Sequence, residues 1–235
     1  MCRLAAFPPG FPRDLALRVL ESMWPHNVDG TGSVYIKNGE FVVNKWPYPF
    51  SRVRMRGLPL LDHMPYNGWT VAHLRAASHG KVSMVNTHPF VKDGWAIVHN
   101  GIWQLYGKAK SVIEKEDADV KFDGETDSEV AATCVSLVGP RQFHKVVSAS
   151  YSGVYLCLKR TGALWVVKSG WSLSQANTKF GVLLASELPR SAHPNAVSDG
   201  WIRLNSSGAI THQHEHVNEK ATILSARNAP VYRPY

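Results

Sequence analysis

Residue 2 of this 235-residue chain is a cysteine, Cys2. Its side chain is small enough for removal of the initiator methionine, which would leave Cys2 with a free α-amine. That amine, of ordinary pKa about 7.7–8.0, would stand beside a thiol of about 8.5. An amine so placed can act as general base for its own residue's nucleophile, directly or through water. Complementary groups cluster in the middle of the chain. His73 to Gly80 reads H-L-R-A-A-S-H-G, and Asn86-Thr87-His88-Pro89-Phe90 follows. Next come Val98-His99-Asn100-Gly101-Ile102 and Gly124-Glu125-Thr126-Asp127-Ser128-Glu129. Arg75 offers a guanidinium for a carboxylate and Asp127 a carboxylate for an ammonium, the two groups a zwitterionic amino acid requires. Asn100 and Gly101 offer a side-chain amide beside a backbone N–H, two donors for an oxyanion.

Together these segments resemble the class II glutamine amidotransferases, a family of N-terminal-nucleophile enzymes. That family's pattern comprises an N-terminal Cys, H-T-R-x-A-T-x-G, N-x-H-P-[FH], V-H-N-G and E-T-D-[ST]-E. All five have counterparts here, in order, between Cys2 and Glu129. The Asn27-Val28-Asp29-Gly30-Thr31-Gly32 loop and the stretch Leu184-Ala185-Ser186-Glu187 also resemble family segments, so the similarity is expected to cover the whole chain.

The resemblance implies a single glutaminase domain over residues 1–235. Its expected fold is α+β, a four-layer αββα sandwich of two packed, mainly antiparallel sheets. It implies Cys2 as nucleophile, Arg75 on the α-carboxylate of glutamine and Asp127 on the α-ammonium. Asn100 (side chain) and Gly101 (backbone N–H) would form the oxyanion hole, with Ser78 and His79 near the substrate carboxylate. His88 and His99 are expected to orient loops rather than transfer protons. The implied reaction converts L-glutamine to glutamate and ammonia through a γ-glutamyl thioester on Cys2, with no metal or cofactor. Ala76 stands where the sugar-synthesising members carry Trp, and the sequence ends at Tyr235 without a synthase domain. A stand-alone member feeding ammonia to a separate synthase subunit is therefore expected. Two alternatives stay open: a hydrolase of another γ-glutamyl amide, and a basic binding module with a vestigial site.

These groups need elements to position them. Leu15, Val19, Leu20, Met23 and Trp24 share one helical face over Asp14 to Trp24, and Pro25 stops the helix. Ser33 to Lys37, the turn Asn38-Gly39, then Glu40 to Trp46 read as a hairpin, because Asn-Gly supplies the positive φ angles of a two-residue turn. Pro47 to Pro65 reads as a surface excursion. Thr70 to Arg75 and Trp95 to His99 read as buried strands, and Lys108 to Glu116 as a short helix. Thr126 to Val138 reads as a longer helix, with Thr126 and Glu129 as a capping box and Gly139-Pro140 as its end. Strands follow at Val154 to Lys159, Leu164 to Lys168, Gly181 to Ser186, Trp201 to Leu204 and Ala209 to His214. Strands at both ends, with helices before and between, suggest sheets packed together and covered by helices.

Composition is that of a globular protein, with 44% hydrophobic and 19% charged residues. The net charge of +8 invites a nucleic-acid partner, but the basic residues are scattered. The densest spot, Arg52, Arg54 and Arg56, would lie on one side of an extended segment as a solvated face or an anion-binding stripe. Three cysteines without CxxC spacing argue against a disulfide framework or zinc knuckle. Cys134 and Cys157 read as small buried hydrophobes. His212, His214 and His216 alternate on one strand face, read as solvated rather than as a metal site. No apolar run approaches a membrane span and no signal-peptide pattern opens the sequence, so a cytoplasmic setting is expected.

Overall fold

The structure is a computed structural model that describes residues 1–148 and 150–215. In chain order it begins with β1 (Arg3–Phe7), α1 (Arg13–Met23), β2 (Gly30–Lys37), β3 (Glu40–Trp46) and α2 (Phe50–Met55). The middle comprises β4 (Thr70–Arg75), β5 (Phe90–Lys92), β6 (Trp95–Trp103), α3 (Tyr106–Glu116) and α4 (Asp127–Val147). Then come β7 (Tyr151–Lys159), β8 (Leu164–Ser169), β9 (Ser174–Thr178), β10 (Gly181–Ala185), a 3-10 turn (Arg190–Ala192), β11 (Asn195–Ala196), β12 (Gly200–Leu204) and β13 (Ile210–Glu215). They form a seven-stranded sheet, order β11-β9-β10-β1-β4-β2-β3, and a six-stranded sheet, order β13-β12-β8-β7-β6-β5. Every described pairing is antiparallel.

The period of two in the strands assigns the layers. In β1, Leu4 and Ala6 enter a core shared with Val98, Leu156 and Val166 of the other sheet. Ala5 and Phe7 point the other way, against Leu17 and Leu20 of α1 and Phe50 and Val53 of α2. On the far side Ile97, Tyr155 and Val167 pack against Val130, Val135 and Phe143 of α4. The result is the expected αββα order. Each fully buried Leu, Val or Phe contributes about 1.5–3 kcal/mol, so the three cores together hold the layers.

The hairpin forms as read, with Lys37 paired to Glu40 and positive φ at Asn38 (54°) and Gly39 (79°). The 47–65 segment differs from the reading. It contains α2, and Phe50, Val53, Leu60 and Leu61 are buried against β1 and α1. Four prolines masked a short amphipathic helix that starts directly after Pro49. Arg52, Arg54 and Arg56 accordingly do not line an extended stripe. Arg52 and Arg56, four apart on a helical turn, both lie over the Tyr48 ring, at 4.3 and 5.3 Å. Arg54 pairs with Glu21 at 3.0 Å.

Thr126 caps α4 by accepting from the Glu129 N–H. The capping box is only half formed, because the Glu129 carboxylate turns to the N–H groups of Asp123 and Gly124. Gly139 (φ 75°, ψ 161°) breaks the helix where expected, but helical turns resume through Val147. Cys157 is buried and Cys134 half-buried against α4's core. His212 and His214 lie opposite Arg203 and Trp201 on β12, and His216 is outside the described residues. Among the described residues, no helix is long and apolar enough to cross a membrane.

Candidate active site

Cys2 directly precedes β1, and β1 runs antiparallel to β4 with Arg3 opposite Leu74. That register carries Cys2 to the end of β4. There its Sγ donates to the Ala76 carbonyl and accepts from the Ala76 N–H, each at 3.4 Å. Asn27, fully buried, holds the same corner: its amide donates to the carbonyls of Met1 (2.7 Å) and Leu74 (3.1 Å). Burial pushes the Cys2 thiol up, against the lowering influence of the Ala76 N–H, the amino terminus and Arg75. The thiol is therefore protonated at neutral pH and requires a base to become a nucleophile.

A small cavity of about 20 Å³ adjoins Cys2, and its wall includes Arg75, Ser78, His79, Gly101 and Asp127. Six of the seven residues read as catalytic or substrate-binding, Cys2 included, thus line this one cavity from separate elements. Asn100 is buried beside Gly101 on β6 without lining the cavity, and its Oδ1 has no hydrogen-bond partner among the described residues. His88 and His99 also line the wall.

The Arg75 guanidinium holds a loop. It donates to the carbonyls of His79 (2.9 Å), Gly80 (3.3 Å) and Lys81 (3.1 Å). The same loop is fixed at the Ala77 N–H by Asp29 (2.7 Å) and at Lys81 by Glu125 and Asn86. Asp127 is held in turn: Oδ2 accepts from the Trp103 N–H at 2.9 Å and Oδ1 from the Ser128 hydroxyl at 3.2 Å.

Histidines join the two sheets beneath the site. His73 Nε2, from β4, donates to the His99 carbonyl of β6 at 2.9 Å, and its ring lies on His88 with centroids 3.9 Å apart. Burial lowers all three pKa values, that of His73 to about 3, so they are neutral struts at physiological pH. Sequence reasoning missed Asn27, Asp29 and Asn86 as holders of the Cys2 corner and the 77–81 loop. They lie in segments it did single out, but Asn27, Asp29 and Asn86 also bond partners 26, 48 and 39 residues away, and such pairs leave no local signal.

A family model described as glutamine amidotransferases class-II matches residues 25–139. The glutamine–fructose-6-phosphate aminotransferase of Aquifex aeolicus is 35% identical over 190 residues, which is 75% of this chain and 31% of that protein. The Escherichia coli K12 enzyme of the same name is 35% identical over 85 residues, 36% of this chain and 14% of that one. The chain thus spans about a third or less of the curated relatives it matches. Among solved structures, the glutamine phosphoribosylpyrophosphate amidotransferase of B. subtilis aligns at TM-score 0.69 and 17% identity, over 92% of this chain and 49% of that one. A glutamine aminotransferase class-II domain protein from Silicibacter pomeroyi aligns at TM-score 0.56 and 16% identity, over 91% of this chain and 99% of that one. These structural likenesses show the fold.

Proposed function

The chain belongs to the class II glutamine amidotransferases, and on that footing we propose that it hydrolyses the γ-amide of L-glutamine to glutamate and ammonia, with Cys2 as nucleophile. The observation that carries this reading is the shared cavity. A thiol, a guanidinium, a carboxylate and a glycine following an asparagine converge there from Cys2, β4, α4 and β6.

Removal of Met1 frees the Cys2 amine, which takes the thiol proton. The sulfur then adds to the γ-carbonyl carbon. Negative charge develops on the carbonyl oxygen against the Gly101 N–H and the Asn100 amide. The amine returns the proton to the departing nitrogen, the C–N bond breaks and ammonia leaves. Water, deprotonated by the same amine, attacks the γ-glutamyl thioester. Glutamate is released and the thiol regains its proton. Arg75 and Asp127 fix the two charges of the amino acid, so that the γ-carbon meets the sulfur. A separate synthase is the proposed consumer of the ammonia.

The test is intact mass before and after 6-diazo-5-oxo-norleucine, with ammonia release measured on glutamine. Loss of Met1 and a single adduct on Cys2 are expected. A retained Met1, or no adduct and no ammonia, overturns the proposal. Turnover of γ-glutamyl-p-nitroanilide above that of glutamine would replace glutamine by another γ-glutamyl amide as substrate.

A further inference from the structure

His99 and Ser128 face the cavity but have no part in the steps above. The His99 ring stacks on Tyr155, with centroids 4.1 Å apart and planes at 19°. Its Nδ1 lies 2.9 Å from Ser128 Oγ, and that oxygen lies 3.2 Å from Asp127 Oδ1. A carboxylate only accepts, so the Ser128 proton goes to Asp127. The serine oxygen is left to accept, which requires the imidazole proton to sit on Nδ1. Nε2 is then a bare lone pair. It is buried and without a partner among the described residues, at the edge of Gly101, where a β-carbon would lie 2.9 Å from it. His88 also has unpartnered ring nitrogens, but no hydrogen bond among the described residues sets its tautomer.

Asp127 is partly committed before any substrate arrives, to the Trp103 N–H and to Ser128. A primary ammonium brings three N–H donors, more than the free capacity of that carboxylate satisfies on its own. We propose that His99 Nε2 is a second acceptor for the α-ammonium of the substrate, and that Ser128 is the positioning residue that sets its tautomer. The inference rests on the glutamine-type reading of the site and adds to it the group that recognises the amine alongside Asp127.

The test compares glutamine with 4-carbamoylbutanoate, which is glutamine without its α-amino group, in wild type, Ser128→Ala and Ser128→Thr. Ser128→Ala should raise the KM for glutamine roughly ten- to hundredfold with little change in kcat, the scale of a hydrogen bond to a charged group. Ser128→Thr keeps the hydroxyl and should restore most of it. On 4-carbamoylbutanoate, kcat/KM of wild type and Ser128→Ala should coincide. Equal losses on both substrates, or an unchanged glutamine KM, overturn the inference alone. Wild-type inactivity on both substrates overturns the underlying reading and the inference with it. Nitrogen-15 NMR of the wild-type imidazoles gives a readout independent of any variant: His99 should carry its proton on Nδ1, and an Nε2–H tautomer refutes the assignment.

Discussion

Gly101 and Gly153 stand directly opposite each other on β6 and β7. A β-carbon on Gly101 would lie 2.4 Å from the Ser152 carbonyl and 2.5 Å from the Gly153 Cα. A β-carbon on Gly153 would lie 2.6 Å from both the Asn100 carbonyl and the Gly101 Cα. Neither strand can give way without moving the segment that holds Asn100 and Gly101. The close approach is therefore part of what positions the proposed oxyanion donors. Gly101→Ala and Gly153→Ala should each lower stability by about 1–3 kcal/mol or more, the cost of overpacking a closed interior. Thermal melts of both variants check this, and an unshifted Tm in either would contradict it.

Asn100→Ala removes one proposed oxyanion donor from a strand held by the β7 ladder. Turnover should fall by about 10²–10³-fold while the fold persists. Steady-state glutaminase rates, with circular dichroism on the same sample, decide the point. Near-normal turnover in a folded variant would remove Asn100 from the mechanism.

Arg75→Lys keeps the charge and loses the planar fork. The lysine cannot reproduce the three donations to the loop carbonyls of His79, Gly80 and Lys81. The glutamine KM should rise at least about tenfold, and the 77–81 loop should become more susceptible to limited proteolysis. Unchanged values for both would show that Arg75 neither pins the loop nor meets the carboxylate.

The three neutral histidines predict acid sensitivity. Burial holds the folded pKa of His73 at about 3, against 6.5 when exposed. Below pH 6.5 the unfolded chain takes up a proton that the native protein refuses, so stability falls as pH drops from 6.5 toward 3. Each such group steepens the fall by about 1.4 kcal/mol per pH unit within its window. Denaturant melts across pH 7 to 4 should show this slope, and His73→Gln should flatten it by about one proton. An equal slope in wild type and variant would refute the assignment.

Thr126 accepts from the Glu129 N–H at the start of α4. Thr126→Ala should cost about 0.5–2 kcal/mol. Because Asp127 and Ser128 form the first turn beyond the cap, the glutamine KM should rise in parallel. A Tm loss without a KM change would separate the cap from the site.

Much of this was legible in the residues. The apolar runs at Thr70–Arg75, Trp95–His99 and Val154–Lys159 were read as strands and lie within β4, β6 and β7, and Asn38-Gly39 gave its hairpin through a local φ requirement. The failures had local causes too. At 47–65 the prolines hid α2, because the burial of Phe50, Val53, Leu60 and Leu61 depends on β1 and α1, far away in sequence. β1 was not read because both of its faces are apolar, Leu4 and Ala6 on one and Ala5 and Phe7 on the other, and β9 because Ala176 is its only apolar residue. β5, three residues long, is defined by its pairing to β6 rather than by composition.

By itself the sequence determined the chemical inventory: a thiol at position 2, the guanidinium and carboxylate for an amino acid, an Asn–Gly pair, and the motif order that carries the family. Residue type and spacing are covalent facts, and they need no fold to be read. Only the tertiary structure decided what those groups do to one another. The β1–β4 register brings Cys2 to Ala76, and the Arg75 guanidinium pins the loop carbonyls of His79, Gly80 and Lys81. The Ser128 hydroxyl between His99 and Asp127 sets a proton on one ring nitrogen. Such relations depend on burial and on distances of a few ångströms between residues up to 74 positions apart, and no periodicity along the chain encodes them.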